Sequence, residues 1–120
     1  MIVIDTSALI AILNNEPERL AFMTAIAADD RRLLSRGRYG EPGRDDLESL
    51  IGAIEPEVVP FDEARARRAF AAFAAYGKGI NPATKLNLCD CIAYALCKSF
   101  DAPLLFKGDD FRATDVISVL

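Results

Sequence analysis

The chain contains no histidine among its 120 residues, and this absence excludes several kinds of catalytic chemistry. Nucleophile systems that pair serine or cysteine with histidine, histidine general bases and histidine-ligated zinc or iron are all ruled out. What remains for catalysis is carboxylate chemistry. Oxygen ligands of this kind suit Mg²⁺ or Mn²⁺, so we expect any catalytic metal to be one of these two ions.

Long apolar runs and paired cysteines are also missing. No stretch is long enough to span a membrane, and the N-terminus lacks the features of a signal peptide, so we expect a cytoplasmic protein without membrane contact. Cys89, Cys91 and Cys97 lack the spacing of a zinc site, and we expect them to be buried, reduced thiols. The net charge of −4 argues against a broad basic surface for nucleic acid, yet it allows a nuclease with an acidic pocket.

The pattern of apolar residues predicts one α/β domain over residues 1–120, with a mostly parallel central sheet flanked by helices. A composition that is 52% hydrophobic supplies enough apolar side chains for its core. The predicted strands are 2–4, 32–35, 57–61, 103–107 and 116–120. The predicted helices are 6–13, 16–30, 45–54, 63–76 and 83–100.

Asp5 follows the first predicted strand directly and precedes Thr6 and Ser7, where the first helix begins. Ligands in open α/β sheets bind at the carboxyl ends of strands, so Asp5 is placed like a binding residue. An N-cap of the first helix is an equally good explanation of the same carboxylate.

Three more acidic residues occupy similar positions. Asp90 lies within an apolar helical pattern, where a carboxylate is costly unless it is paired or bound to metal. Asp109 and Asp110 follow the strand predicted at 103–107, although a plain turn is the commonest reason for such a pair. Carboxylates that converge repel one another unless a cation lies between them, so together these residues predict a divalent metal site.

Three segments of the chain resemble the PIN domain, and more closely its VapC-type toxin branch: IVIDTSALIAIL, YGKGINPATKLNLCDCIAYALCKS and LLFKGDDFRATDV. The resemblance implies a three-layer PIN-like fold and a Mg²⁺- or Mn²⁺-dependent endoribonuclease that hydrolyses RNA phosphodiester bonds. It also implies a toxin of a type II toxin-antitoxin system, which a cognate antitoxin neutralises and with which it represses their operon. We expect a homodimer that forms a heterotetramer or larger assembly with the antitoxin.

The resemblance also implies roles for individual residues. The family's metal-binding, catalytic carboxylates match Asp5, Asp90 and either Asp109 or Asp110, of which we favour Asp110. Supporting polar positions match Thr6 and Ser7 in the first turn and the pair Thr114 and Asp115.

One departure from the family pattern concerns its second carboxylate, a glutamate on a helix shortly after a strand that ends in serine. Here Ser35 runs directly into Arg36 and a glycine-containing loop, so about one helix, roughly 11 residues, is missing. Either the protein has lost this helix or the sequence skips a stretch, and the short strand favours a skip. Glu41 is the only nearby acid that could substitute.

Two other functions compete with the nuclease. A phosphoacceptor receiver domain has a similar length and a late lysine, here Lys107, but it requires an acceptor aspartate at the end of a middle strand, and the chain has none near Val58 and Val59. A non-catalytic, binding-only member of the same fold would have lost its glutamate. For an active nuclease, the candidates for holding RNA phosphates are Lys78, Arg38 and Arg65, although each residue is also explained as a solvated surface charge.

Overall fold

The computed structural model describes residues 1–35 and 44–120, and for Ser35 and Arg44 it describes the main chain only. Arg38 and Glu41 therefore lie outside the described residues. Every helix of these residues is too short or too polar to span a lipid bilayer. In chain order the elements are β1 Ile2–Ile4, α1 Thr6–Leu13, α2 Arg19–Ala28, β2 Arg32–Ser35, α3 Arg44–Ile54, β3 Glu57–Val59, α4 Glu63–Tyr76, α5 Leu88–Phe100 and β4 Leu104–Leu105.

The four strands form one sheet in the order β3-β2-β1-β4, and every pair is parallel. The strand β1 lies in the interior of the sheet, where Val3 is opposite Leu33 of β2 and Leu104 of β4. Such a sheet is expected where both faces are covered by helices. The α/β class is confirmed, and the sheet of the described residues is wholly parallel rather than mostly so.

Two apolar clusters lie on opposite faces of the sheet. Val3, Leu33 and Leu104 pack with buried residues of α4 and α5. Their sequence neighbours Ile4 and Leu34 pack instead with buried residues of α1, α2 and α3. Because successive side chains of a strand point to opposite faces, three short strands serve both clusters and produce the three-layer arrangement.

The helices α4 and α5 form an antiparallel pair. Arg65 at the start of α4 and Arg31 just before β2 each place a guanidinium 5.3 Å from the ring centroid of Phe100, at the end of α5. Farther from this end, the rings of Tyr76 and Tyr94 lie 5.7 Å apart. The loop 77–87 between the two helices is therefore at the opposite end from Phe100, where the strands have their carboxyl ends.

The helix predicted at 16–30 is shorter, Arg19–Ala28, and so are the strands predicted at 57–61 and 103–107, which are Glu57–Val59 and Leu104–Leu105. Two other predictions are wrong. The helix predicted from residue 83 begins at Leu88, because Asn87 caps it and residues 77–87 form a separate folded loop. The segment 116–120 is not a strand, since it joins the sheet only through a bridge between Ser118 and Leu104. The thiol prediction is also wrong in part, because Cys89 is exposed while Cys91 and Cys97 are buried.

Candidate functional site

Asp5 is a buried carboxylate at the carboxyl end of the central strand β1 and also the N-cap of α1. Its Oδ2 accepts hydrogen bonds from the main-chain N–H of Ser7 at 3.0 Å and from Oγ of Ser7 at 2.5 Å. The capping explanation is confirmed, and it does not exclude a binding role because both bonds end on Oδ2. Burial raises the pKa of Asp5, the Ser7 bonds offset part of the rise, and the charge of Asp110 adds to it.

Asp90 lies in the first turn of α5 and is half-buried. It forms a capping box with Asn87: its Oδ2 accepts from the main-chain N–H of Asn87 at 2.9 Å, and Asn87 Oδ1 accepts from the main-chain N–H of Asp90 at 2.9 Å. Burial raises the pKa of Asp90 to about 6, and the charges of Asp5 and Asp110 contribute to the rise.

Asp109 and Asp110 differ in their surroundings. Asp109 forms an exposed ion pair with Arg112, with 2.7 Å between its Oδ1 and the arginine Nε. Asp110 instead raises the pKa of both Asp5 and Asp90 through its charge. Of the two neighbours, Asp110 is the one whose charge acts on the other predicted site carboxylates.

Asp5, Asp90 and Asp110 thus come from three separate elements and act on one another electrostatically. Their spacing is wider than that of a closed site, because no group of three or more Asp, Glu or Cys side chains among the described residues lies close enough to hold a metal ion as it stands. Coulomb interactions act over longer distances than coordination bonds, so the two observations agree. The three carboxylates supply oxygen donors and several negative charges, and both properties suit a hard divalent cation.

The supporting residues of the first turn connect Asp5 to the neighbouring strand. Thr6 is the half-buried first residue of α1. Oγ of Ser7 accepts from the main-chain N–H of Lys107, two residues beyond β4, at 3.1 Å. The ammonium of Lys107 forms ion pairs with the carboxylates of Glu16 and Glu18 in the loop between α1 and α2. These contacts fix the turn that carries Asp5.

The second supporting pair is turned toward other partners. Oγ1 of Thr114 donates to the carbonyl of Phe111 at 2.6 Å. Asp115 accepts from Tyr94 Oη at 2.7 Å and lies 2.9 Å from Nζ of Lys98. The hydrogen bonds from Lys98 and Tyr94 lower the pKa of Asp115. Asp115 therefore fastens the C-terminal segment onto α5, beginning one turn beyond Asp90.

Sequence reasoning missed two features of the site. The spacing of Asn87 and Asp90, three residues apart at a helix start, is the signal of a capping box and was available in the sequence. The Lys107 contacts join segments about 90 residues apart, and no local sequence pattern indicates them.

Arg65 was expected as a candidate for holding RNA phosphates. Its guanidinium instead forms an ion pair with Asp62 at 2.8 Å and lies over the ring of Phe100, at the other end of the sheet.

Comparisons with known proteins point to one family. The family model of the PIN domain matches residues 32–117. Ribonuclease VapC30 of Mycobacterium tuberculosis is 42% identical over 130 residues, which cover 98% of this chain and 97% of that protein. Ribonuclease VapC of Mycolicibacterium smegmatis is 41% identical over 128 residues, which cover 98% of both chains. A solved toxin-antitoxin complex from Klebsiella pneumoniae contains a similar fold, with a TM-score of 0.73 and 19% identity over 100% of this chain and 98% of that one.

The alignment with the Mycobacterium tuberculosis relative is longer than this chain. Since the chain has 120 residues, the 130 aligned positions include at least ten at which this chain has no residue. The relative therefore has at least ten residues, in total, that are inserted relative to this chain.

Proposed function

This chain belongs to the PIN domain family and is a ribonuclease of the VapC type, and from this premise we propose that it cleaves RNA endonucleolytically with Mg²⁺ or Mn²⁺ held by Asp5, Asp90 and Asp110. The observation that carries the proposal is the electrostatic coupling of these three carboxylates. Within the described residues no lysine or arginine forms an ion pair with Asp5 or Asp90. A divalent cation supplies the positive charge that such a pocket needs.

The chemistry is hydrolysis of a phosphodiester bond without a side-chain nucleophile. A bound divalent ion in such sites polarises the phosphate and lowers the pKa of a water molecule. The protein's own contribution is to orient the carboxylates before substrate arrives: Ser7 fixes one oxygen of Asp5, and Asn87 fixes one oxygen of Asp90. Each of the two carboxylates has its second oxygen outside these bonds.

Cleavage of RNA under controlled metal conditions tests this function. The wild-type protein should cleave RNA in Mg²⁺ or Mn²⁺ and lose this activity in chelator. Asp5→Asn should fold and show no cleavage, because an amide lacks the charge that holds the ion, whereas Asp109→Asn should retain activity. Unchanged cleavage in chelator or in Asp5→Asn would contradict the proposed mechanism.

We further propose that a cognate antitoxin blocks the site by inserting an arginine or lysine among the three carboxylates. An arginine can bind a carboxylate through two parallel hydrogen bonds and would occupy the position of the metal. The toxin is expected to be a homodimer in this complex, a heterotetramer or larger. Co-expression with the neighbouring reading frame, purification, light scattering and an RNase assay test the idea. A monomer with no copurifying partner would contradict it.

The aligned positions that this chain lacks support a second proposal, that a helix-length segment with the family's further glutamate is missing between Ser35 and Arg36. If the protein as expressed lacks this segment, a binding-only member of the family becomes the alternative function. Sequencing the continuous reading frame determines whether the expressed protein contains this segment. Cleavage by the protein from that frame supports the nuclease, and binding of RNA without cleavage supports the alternative.

A further inference from the structure

The loop 77–87, which connects α4 to α5, lines a cleft of about 390 Å³. Two lysines, Lys78 and Lys85, line this cleft together with the polar side chains of Asn81 and Thr84. The loop contains no acidic residue. The cleft is therefore locally positive in a chain whose net charge is −4.

Main-chain hydrogen bonds fix the backbone at the two lysines that line the cleft. The N–H of Lys78 donates to the carbonyl of Leu86 at 3.0 Å, and the N–H of Leu86 donates to the carbonyl of Tyr76 at 3.3 Å. Thr84 is buried and donates its hydroxyl to the same Tyr76 carbonyl at 2.6 Å. The backbone that carries both lysines is thus fixed without any ligand.

Asn81 closes the remaining turn of the loop. Its Nδ2 donates to the carbonyl of Ala75 at 3.2 Å, and its Oδ1 accepts from the N–H of Ala83 at 2.9 Å. Side-chain bonds of this kind stabilise turns at the expense of other backbone conformations. A preorganised cleft loses little conformational entropy when it binds a ligand.

The ammonium groups of the cleft form no ion pair within the part of the chain that the structure describes. Lys98 and Lys107, the other two lysines of the chain, form ion pairs with Asp115 and with Glu16 and Glu18. Neither Lys78 nor Lys85 forms an ion pair with any carboxylate of residues 1–35 and 44–120. Both side chains are exposed and can bind an anion from solvent.

The cleft and the three carboxylates lie at the same end of the sheet, where the strands have their carboxyl ends. The loop connects the ends of α4 and α5 that are remote from Phe100, and Asp90 lies in the first turn of α5. Lys85 and Asp90 are only five positions apart in the chain, a length that spans at most about 18 Å. An extended polyanion that reaches Asp90 can therefore contact the cleft as well.

From this arrangement we propose that Lys78 and Lys85 form a phosphate-binding subsite for the RNA strand, a short distance along the strand from the bond that is cleaved. The proposal rests on the proposed ribonuclease function and extends it to substrate positioning. The ligand is the sugar-phosphate backbone of single-stranded RNA, since ammonium groups recognise phosphate charge rather than base identity. The subsite contributes affinity, while the carboxylates carry out the chemistry.

The salt dependence of RNA binding tests this subsite directly. Binding of a short fluorescent single-stranded RNA is measured by anisotropy in chelator, over a series of salt concentrations, for wild type and for Lys78→Gln with Lys85→Gln. Each lost phosphate contact should reduce the slope of log K against log salt by about 0.7, so the double variant should lose about 1.4 and bind about tenfold more weakly at low salt. Its kcat in Mg²⁺ should be retained while its KM rises.

Two further variants separate a phosphate contact from other causes. Arg67→Gln with Arg68→Gln makes the same change in net charge on the exposed side of α4 and should leave the slope unchanged. Lys78→Arg with Lys85→Arg keeps both charges and should bind RNA with the wild-type slope. If the glutamine double variant keeps the wild-type slope and KM while wild type cleaves RNA, the subsite is refuted and the ribonuclease function stands. Absence of metal-dependent cleavage by wild type would instead refute the proposed function.

Discussion

The main-chain N–H of Lys107 donates a hydrogen bond to Oγ of Ser7, and the two residues are 100 positions apart in the chain. Ser7 in turn donates to Oδ2 of Asp5. Through this one hydroxyl, the segment after β4 fixes a carboxylate at the end of the neighbouring strand β1. The orientation of Asp5 therefore depends on the sheet being assembled, and local sequence near residue 5 does not determine it alone.

Ser7→Ala should lower the free energy of unfolding by about 1–2 kcal/mol, because it removes a hydrogen bond to a charged group and leaves the N–H of Lys107 without its acceptor. RNA cleavage should fall as well, since the oxygen of Asp5 loses its orientation. Urea unfolding and single-turnover cleavage measure the two effects. Ser118→Ala, which removes an exposed hydroxyl near the C-terminus, is the matched control and should change stability by less than about 0.5 kcal/mol.

Asp90→Asn should stabilise the metal-free protein at pH 7. The pKa of Asp90 is about 6 in the folded protein, above its ordinary value of 3.8. Between these values the folded protein binds a proton that the unfolded chain has released, so stability from this group decreases as the pH rises through that window. Asparagine has no charge to desolvate and can still accept the capping bond from Asn87.

Thermal unfolding in chelator at several pH values measures the effect of Asp90→Asn. The variant should have its largest advantage in Tm at and above pH 7, and the advantage should disappear near pH 3, where Asp90 is largely protonated in both states. Asp109→Asn, which removes an exposed charge, is the control. If Asp90→Asn is less stable than wild type at pH 7, the prediction is wrong, because the folded protein then stabilises the negative charge of Asp90 without a metal.

Tyr94 and Asp115 should be energetically coupled. Their hydrogen bond of 2.7 Å joins α5 to the C-terminal segment, and the carboxylate also lies beside Lys98. A double-mutant cycle of Tyr94→Phe and Asp115→Asn should give a coupling energy of about 0.5–1 kcal/mol by urea unfolding at pH 7. Because the pKa of Asp115 is lowered by its partners, the coupling should weaken as the pH falls below 4. If the effects of the two substitutions on the free energy of unfolding are additive, the hydrogen bond between Tyr94 and Asp115 contributes no coupling energy.

Asn87→Ala should destabilise α5 and, through it, the position of Asp90. Loss of an N-cap side chain costs about 1 kcal/mol. The main-chain N–H of residue 87 remains available to Asp90 in any variant. Asn87→Ser keeps a capping side chain and should therefore restore the stability and the RNA cleavage that Asn87→Ala loses. If the alanine and serine variants cleave RNA at equal rates, the capping box contributes nothing to the site.

Much of the site could be predicted because strong local signals surround it. The apolar strand before Asp5 and the acidic residues at Asp90 and Asp110 are visible in the sequence, and so is the cap at Asp62 that begins α4. The start of α5 was placed too early because residues 83–86 continue its apolar pattern, although Leu86 is buried within the loop instead. The segment 116–120 has the β-branched composition of a strand but forms only one bridge, since edge pairing depends on tertiary contacts.

The spacing between the three carboxylates could not be read from the sequence, because it depends on how three separate elements pack. The same is true of the different environments of Asp109 and Asp110. These neighbours are identical in type, yet one is held by Arg112 and the other acts on Asp5 and Asp90.

Binding of Mn²⁺ to wild type, Asp110→Asn and Asp109→Asn tests most directly whether Asp5, Asp90 and Asp110 together hold the catalytic metal. Electron paramagnetic resonance measures the free ion, and the two variants change the net charge equally at adjacent positions. We predict that wild type and Asp109→Asn bind Mn²⁺ with similar affinity and that Asp110→Asn binds it at least tenfold more weakly. Equal affinity in all three proteins, or a loss confined to Asp109→Asn, would contradict this assignment of the site.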